Sequence, residues 1–343
     1  MTGRGTATGL AAAALFGVSL PFSKLLLPML HPLVLSALLY LGAGLAATVA
    51  RASRASKSEA PLRPSDLPAL LGLILVGGLL GTTLMLYGLA RLSGVAGALL
   101  VNLETPFTVL LAVLLFRDHL GARAGFAVVA VLLGAALLSY EPGELRASVP
   151  GTLAICGACL CWALDNNLSQ KLSARDPLQV VQVKALAVGL CGLGWPLLAK
   201  APLPSLKAIA AALGLGAMSY GASMILNFRA LRELGAARQA TLFATAPFLG
   251  ALLSIPILGE QPRPLHAVVA LLMGTGLWLL LRERHGHTHT HETLEHEHQH
   301  LHDEHHQHTH DGAVTEPHSH PHRHEPLAHE HPHTPDLHHR HSH

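Results

Sequence analysis

LYGLARLSGVAGALLVNLETPFTVLLAVLLFRDHL, residues 86–120, decides how the rest of the chain is read. It is the end of one apolar helix, a short Arg/Ser/Gly turn, and a second apolar helix from about Val95 to Phe116. Inside that second helix lie the polar residues Asn102 and Glu104, with Pro106 two positions further on. The design returns at residues 226–261, LNFRALRELGAARQATLFATAPFLGALLSIPILGEQ. Gly94 matches Gly235, Pro106 matches Pro247, Phe107 matches Phe248 and, with one gap, Asp118 matches Glu260. Two copies of one unit, about 141 residues apart, organise the sequence.

Working outward, composition fixes the class. Half of the 343 residues are hydrophobic and 13% are charged, and the charges avoid long runs rich in Leu, Ala, Val and Gly. Runs of roughly 17 to 25 such residues cross about 30 Å of hydrocarbon as helices. They also lack the polar stripe that a helix on a water-soluble core carries. The chain reads as an all-α polytopic membrane protein in contact with the lipid bilayer. Ten transmembrane helices are expected, at about 7–27, 33–50, 67–90, 95–116, 123–140, 149–171, 178–199, 206–231, 236–258 and 264–282. The first run ends in Pro21-Phe22-Ser23-Lys24 without a small-residue cleavage site, so it is read as a span rather than a signal peptide. Residues 1–144 then form a first five-helix repeat, 145–284 a second, and 285–343 a tail.

Lysine and arginine give the orientation. Fourteen of them flank the spans on one side, among them Arg51, Arg63, Arg117, Arg175, Arg232 and Arg282. Six flank the other side: Lys24, Arg91, Arg146, Lys200, Lys207 and Arg263. The richer side is expected to be cytoplasmic, which places both termini there. Five spans per copy is an odd number, so the second copy enters the membrane upside-down. Inverted repeats are characteristic of secondary transporters, whose substrate sites lie near the midplane between the halves.

These residues carry a family resemblance. YGLARLSGVAGALLVNLETPFTVLLAVLLFRDHL followed by GFAVVAVLLGAALL resembles the EamA-type unit of the drug/metabolite transporter (DMT) superfamily. GAARQATLFATAPFLGALLSIPILGEQ followed by AVVALLMGTGLWLL resembles the same unit, and CWALDNNLSQKL resembles its Trp-bearing first helix. The likeness spans about residues 7–282. It implies ten helices in two inverted EamA repeats and an exporter of small solutes. Three features depart from the pattern: Asp118 stands where Glu is usual, Thr245 where the first copy has Glu104, and Asp165-Asn166-Asn167 is unusually polar.

Polar residues inside the spans are the candidate transport residues. Glu104 lies about 13 Å along its helix, near the midplane, where a carboxylate is costly and normally faces a bundle interior or a water-filled cavity. Pro106 removes the hydrogen bond that the Asn102 carbonyl would accept, and Pro247 does the same for Phe243. Each repeat thus offers a freed carbonyl near the repeat axis. Glu104 either handles substrate or a coupling proton, or is a paired carboxylate that only packs helices. Asp165 and Lys184 lie at similar depth on neighbouring antiparallel helices and are expected to pair, as a structural contact or as a gate. Asn166 extends that polar patch, and Tyr87, Tyr220, Asn227 and Thr245 complete the set of candidate cavity residues.

Cys156, Cys159, Cys161 and Cys191 all fall within spans and read as free packing thiols. No nucleophile motif, phosphate loop or basic nucleic-acid patch occurs, so neither an enzyme nor a nucleic-acid binder is expected, and no cofactor is required.

From His285 the composition changes abruptly: residues 285–343 hold 23 of the 26 histidines, ten acids and two arginines. With few apolar residues and several prolines, such a segment is expected to be disordered. Histidine alternates in HGHTHTH, HEHQHLH, HSHPHRH and HEHPH. The candidate metal ligands are His285, His287, His289 and His291; His296, His298, His300 and His302; and His318, His320, His322 and His324. Neutral imidazoles take Zn²⁺, Ni²⁺, Co²⁺ or Cu²⁺, in sites of modest affinity. The alternative is a solvated low-complexity tail that meets metal only incidentally.

The leading expectation is a secondary active transporter exporting a small organic metabolite or drug-like solute by alternating access, in a bacterial inner (plasma) membrane, with a homodimer compatible. The alternatives are a transition-metal transporter fed by the tail, or a metal-responsive membrane sensor. His31, His119 and His266 lie at span ends, whereas a metal path would carry His, Cys or Asp at the midplane. That favours an organic solute.

Overall fold

The computed structural model describes residues 2–53, 59–116, 122–139, 145–172, 175–198, 204–234, 236–281, 285–290, 294–300, 318–324 and 328–333. The body is helical throughout. Helices α1 (Thr2–Leu26) and α2 (Pro32–Ala52) lead into a composite third segment. That segment is α3 (Leu67–Gly72), a π-helical stretch Leu73–Gly81, and α4 (Thr82–Leu89). The fourth is also composite: α5 (Gly94–Leu100), a tight 3₁₀ turn Val101–Leu103, and α6 (Glu104–Phe116). Helix α7 (Ala122–Ser139) follows.

The second half repeats the scheme. After α8 (Leu145–Leu172) and α9 (Pro177–Leu198) come α10 (Leu206–Leu215), a π-helical stretch Gly216–Gly221, and α11 (Ala222–Leu234). Then α12 (Ala236–Phe243) and α13 (Ala246–Leu258) flank a turn, and α14 (Pro264–Leu281) closes the body. Both halves therefore carry a π stretch in the third segment and a break in the fourth.

Local chemistry sets the ends. Pro32 opens α2 at a position where no amide donor is needed, behind His31, whose Nδ1 accepts from the Leu33 amide. The hydroxyls of Ser93 and Ser205 accept from Ala96 and Ala208 and so cap α5 and α10. Helix α13 ends at Gly259, whose φ of 66° is the left-handed conformation a residue without Cβ adopts freely.

Among the described residues, eight helical segments are long and apolar enough to cross a membrane, from Gly5–Leu26 to Thr241–Leu258. Two further apolar helices, Gly125–Leu138 and Pro264–Leu279, are shorter. Large apolar side chains such as Leu114, Phe126, Leu153, Leu190, Met218 and Leu271 face outward. An exterior this apolar is a lipid-contacting one, and the chain is an integral membrane protein.

The helices pack across the halves. Helix α1 lies against α11 and α13, α2 against α9, α4 and α6 against α8, α5 against α13, and α7 against α14. Exchanging the halves maps each of these pairs except α5 with α13 onto another of them or onto itself. With lipid outside, close backbone approach rather than water exclusion holds such helices together. Gly42 and Gly216 show it: a Cβ on either would fall 2.1 Å from the Leu213 or Leu39 carbonyl oxygen.

Strand β1 (His285–Thr290) pairs antiparallel with β4 (Ala328–His333), and β2 (Leu294–His300) with β3 (His318–His324). The His-x-His alternation has the two-residue period of a strand, which a composition argument overlooks. His291 and His302 lie outside the described residues.

Candidate functional site

The site is built on the two helix breaks. Pro106 has no amide hydrogen for the Asn102 carbonyl, and the helix tightens to 3₁₀ over Val101–Leu103. Asn102, buried there, donates through Nδ2 to the Leu99 carbonyl at 3.1 Å. In the second half Pro247 leaves the Phe243 carbonyl without its donor, and α12 ends at that residue. Thr245 donates through Oγ1 to the Leu242 carbonyl at 2.7 Å. In each break a polar side chain takes the carbonyl three residues back.

Glu104 stands at the first break. Its Oε1 accepts from Asn166 Nδ2 of α8 at 2.7 Å, and Thr108, one turn on, donates to its carbonyl at 2.8 Å. These groups line a cleft with Phe16, Val101, Asn102, Thr105, Phe243, Ala244 and Pro247. Its interior volume is about 10 Å³, room for about one water molecule. One wall is amide, hydroxyl and carboxylate; the other is aromatic and proline.

Behind the cleft Phe16 gathers an aromatic group. Its ring centroid lies 5.8 Å from Trp162, 5.9 Å from Tyr220 and 5.2 Å from Phe243. Tyr220 in turn meets Tyr40 at 6.0 Å.

The expected Asp165–Lys184 pair is present. Lys184 Nζ donates to both carboxylate oxygens, at 2.8 and 2.9 Å, with side chains 14% and 6% exposed for Asp165 and Lys184. The pair is seated on the π stretch of the third segment. A Cβ on Gly77 would lie 1.9 Å from Asp165 Oδ1, while Trp162 Nε1 donates to the Gly77 carbonyl at 3.1 Å. The wide turn and the absent side chain together make room for the carboxylate.

Of the candidate residues, the cleft gathers Asn102, Glu104, Asn166 and Pro247. Pro106 is buried beside it and Thr245 sits in the facing turn, neither lining it. Three candidates lie away from the cleft. Tyr87 is exposed, with the Arg91 guanidinium 3.4 Å above its ring, because an arginine one turn on stacks it outward. Tyr220 is buried in the aromatic group behind Phe16, where its ring area packs best. Asn227 accepts from Gln239 at 2.6 Å, tying α11 to α12 instead of facing the cleft. Phe16 and Thr105 were missed, and of Phe243 only the freed carbonyl was foreseen. Thr108 carried a usable signal, four residues after Glu104 on the same helix face.

Both ends of the bundle are tied across the halves. At the end bearing Arg51, Arg175 and Arg232, the segment after α2 meets the second half. Arg175 forks onto Asp66 at 2.8 and 3.2 Å, and Arg232 meets Glu59 at 2.8 Å. Gln179 accepts from the Leu62 amide at 2.8 Å, and Gln182 accepts from Arg51 at 3.0 Å. A vestibule of about 600 Å³ opens there, lined by Thr48, Arg51, Glu59, Asp176, Gln179 and Gln182 among others. At the opposite end Glu260 accepts from the Gly94 and Val95 amides at 2.5 and 2.9 Å. Lys24 donates to the Leu89 carbonyl at 2.9 Å and to that of Leu92.

Cys156, Cys159, Cys161 and Cys191 are free. Among the described residues, no group of three or more His, Cys, Asp or Glu side chains is placed to hold a metal ion.

The profile of the EamA-like transporter family matches residues 3–140 and 149–282, one copy in each half. An uncharacterized transporter of Methanothermobacter thermautotrophicus is 30% identical over 290 residues, covering 79% of this chain and 84% of that protein. A solved crystal structure superposes with a TM-score of 0.62 over 81% of this chain and 96% of its own, at 19% identity, a likeness of fold.

Proposed function

The chain belongs to the EamA-like transporter family, and from that premise we propose that it is a secondary active exporter of a small organic metabolite or drug-like solute. The observation that carries the reading is the Glu104 carboxylate, held by Asn166 where the fourth segment breaks and facing the second break across a closed cleft. Preformed breaks let helix halves tilt about them, and an acid among neutral polar groups is suited to exchanging a proton for substrate. In this reading ten spans form two inverted repeats, both termini are cytoplasmic, and the membrane is a bacterial inner membrane. The vestibule is then the cytoplasmic entrance and the cleft opens as the halves rock. The Asp165–Lys184 pair stands behind the cleft as its support.

Solute and metal profiling of a deletion strain, followed by transport of the best hit in proteoliposomes, tests this reading. A solute that accumulates in the deletion strain and is moved by the purified protein is the expected result. Reporter fusions after Arg63 and after Pro142 should report opposite compartments, and agreement between them would remove the inverted topology. Metal as cargo is disfavoured by the lack of a ligand group in the described body.

A further inference from the structure

The helices sort into two bundles that do not coincide with the two halves. Helix α1 packs on α10, α11, α12 and α13 of the second half, and α8 packs on α3, the π stretch Leu73–Gly81, α4 and α6 of the first. Inside each bundle backbone meets backbone. A Cβ on Gly17 of α1 would lie 2.5 Å from the Ala246 carbonyl oxygen of α13, and one on Gly88 of α4 would lie 2.6 Å from that of Gly151 of α8. Contacts this close leave no slack, so each bundle moves as one body. At the end of the molecule opposite the vestibule, the two bodies meet at the α4–α5 turn. There Gly94 lies against side chains of α13, and a Cβ on it would fall 2.4 Å from Leu258 Cδ1 and 2.8 Å from Ser254 Oγ. Of the principal helix pairs named above, and among the described residues, this α5–α13 contact is the one that exchange of the halves does not reproduce.

The charged ties at this end run between the bundles and grip that one turn. Lys24 of α1 donates through Nζ to the Leu89 carbonyl at 2.9 Å and to that of Leu92, acceptors left free where α4 ends. Glu260, just past α13, accepts from the Gly94 and Val95 amides at 2.5 and 2.9 Å, donors left free where α5 begins. One side chain thus holds the carbonyl side of the turn and the other its amide side, and both come from the bundle built on α1. Hydrogen bonds to charged groups are the stronger kind, and separation of the bundles would break all of these together. We infer that Lys24 and Glu260 form a latch that holds this end of the protein shut while the vestibule of about 600 Å³ stands at the other. A contact made in one state and lost in the other biases the balance between them by its own free energy. Breaking the latch therefore opens the latched end and, as the bundles pivot about the cleft, narrows the vestibule end. A latch matters only to a transporter, as proposed above, but the measurement below needs no solute, so the two readings fail separately.

The test measures distances by double electron–electron resonance on the full-length protein in detergent, with Cys156→Ala, Cys159→Ala, Cys161→Ala and Cys191→Ala as background. One spin-label pair, Arg91→Cys with Gln261→Cys, spans the latched end. Another, Ser65→Cys with Glu233→Cys, spans the vestibule end, and all four positions are exposed. Lys24→Met combined with Glu260→Gln is expected to add a longer population to the first pair and a shorter one to the second. Each substitution alone should do the same in smaller measure, which keeps the test open if the double variant gives no folded protein. Unchanged distances would overturn the latch. So would lengthening of the first pair with the second unmoved, since local loosening of the turn gives that result.

Discussion

Asn166 donates its amide hydrogen to Glu104 Oε1 at 2.7 Å, joining α8 to the break in the fourth segment. The contact crosses from the second half of the chain to the first, so it reports how the halves sit at the cleft. Glu104→Gln keeps the size of the side chain but removes the charge and the exchangeable carboxyl proton. Transport of the identified solute should fall to background, or lose its response to a pH gradient, while protein yield stays near that of the parent. Asn166→Ala should leave transport measurable and raise KM. Unchanged transport by the Gln variant in proteoliposomes would reduce Glu104 to a packing residue.

The Asp165–Lys184 pair predicts an asymmetry in stability. Removing one partner leaves the other charge buried without its counter-ion, a loss of about 3–5 kcal/mol in comparable sites, whereas removing both is far milder. Lys184→Met should therefore lower the thermal midpoint in detergent strongly, and adding Asp165→Asn should recover most of the loss. Gly77→Ala should do similar damage without touching a charge, since its Cβ would lie 1.9 Å from Asp165 Oδ1. A double variant no better than the single one would count against the pair.

What was legible in the sequence follows from which residues carry their own geometry. Proline lacks an amide hydrogen wherever it sits, so the breaks before Pro106 and Pro247 could be read directly. Asp165 and Lys184 could be matched because a tight helical hairpin fixes relative depth. Where Tyr87, Tyr220 and Asn227 sit relative to the cleft was not legible, because depth does not set which side of a helix faces a cavity. Arg91, Phe16 and Gln239 decided those positions by contact. The Glu260 cap was out of reach for another reason: its partners Gly94 and Val95 lie 166 and 165 residues away in the other repeat.

The Glu59–Arg232 contact at 2.8 Å predicts a charge-swap rescue at the vestibule end. Glu59→Arg alone sets two guanidinium groups together and should reduce transport several-fold, as should Arg232→Glu. The double swap restores an opposite-charge pair and should recover most of the rate. Solute transport by the four proteins at matched abundance checks it. Failure of the double swap to improve on either single variant would show that the pair does not join the halves during transport.

At the other end, Glu260 predicts a graded loss. Its two carboxylate oxygens accept from consecutive amides at the start of α5, where the helix has no internal acceptors to offer and where its dipole favours negative charge. Capping side chains at such positions contribute about 0.5–2 kcal/mol. Glu260→Ala should cost in that range and loosen the packing of α5 on α13. Glu260→Gln keeps one accepting oxygen and should fall between Ala and the parent. Glu260→Asp is one methylene short, so it should keep the charge but reach one amide, and it should also lie between them. Thermal midpoints of the four proteins in one detergent give the order. If the Ala variant is as stable as the parent, the carboxylate is not what holds the end of the second repeat to the first.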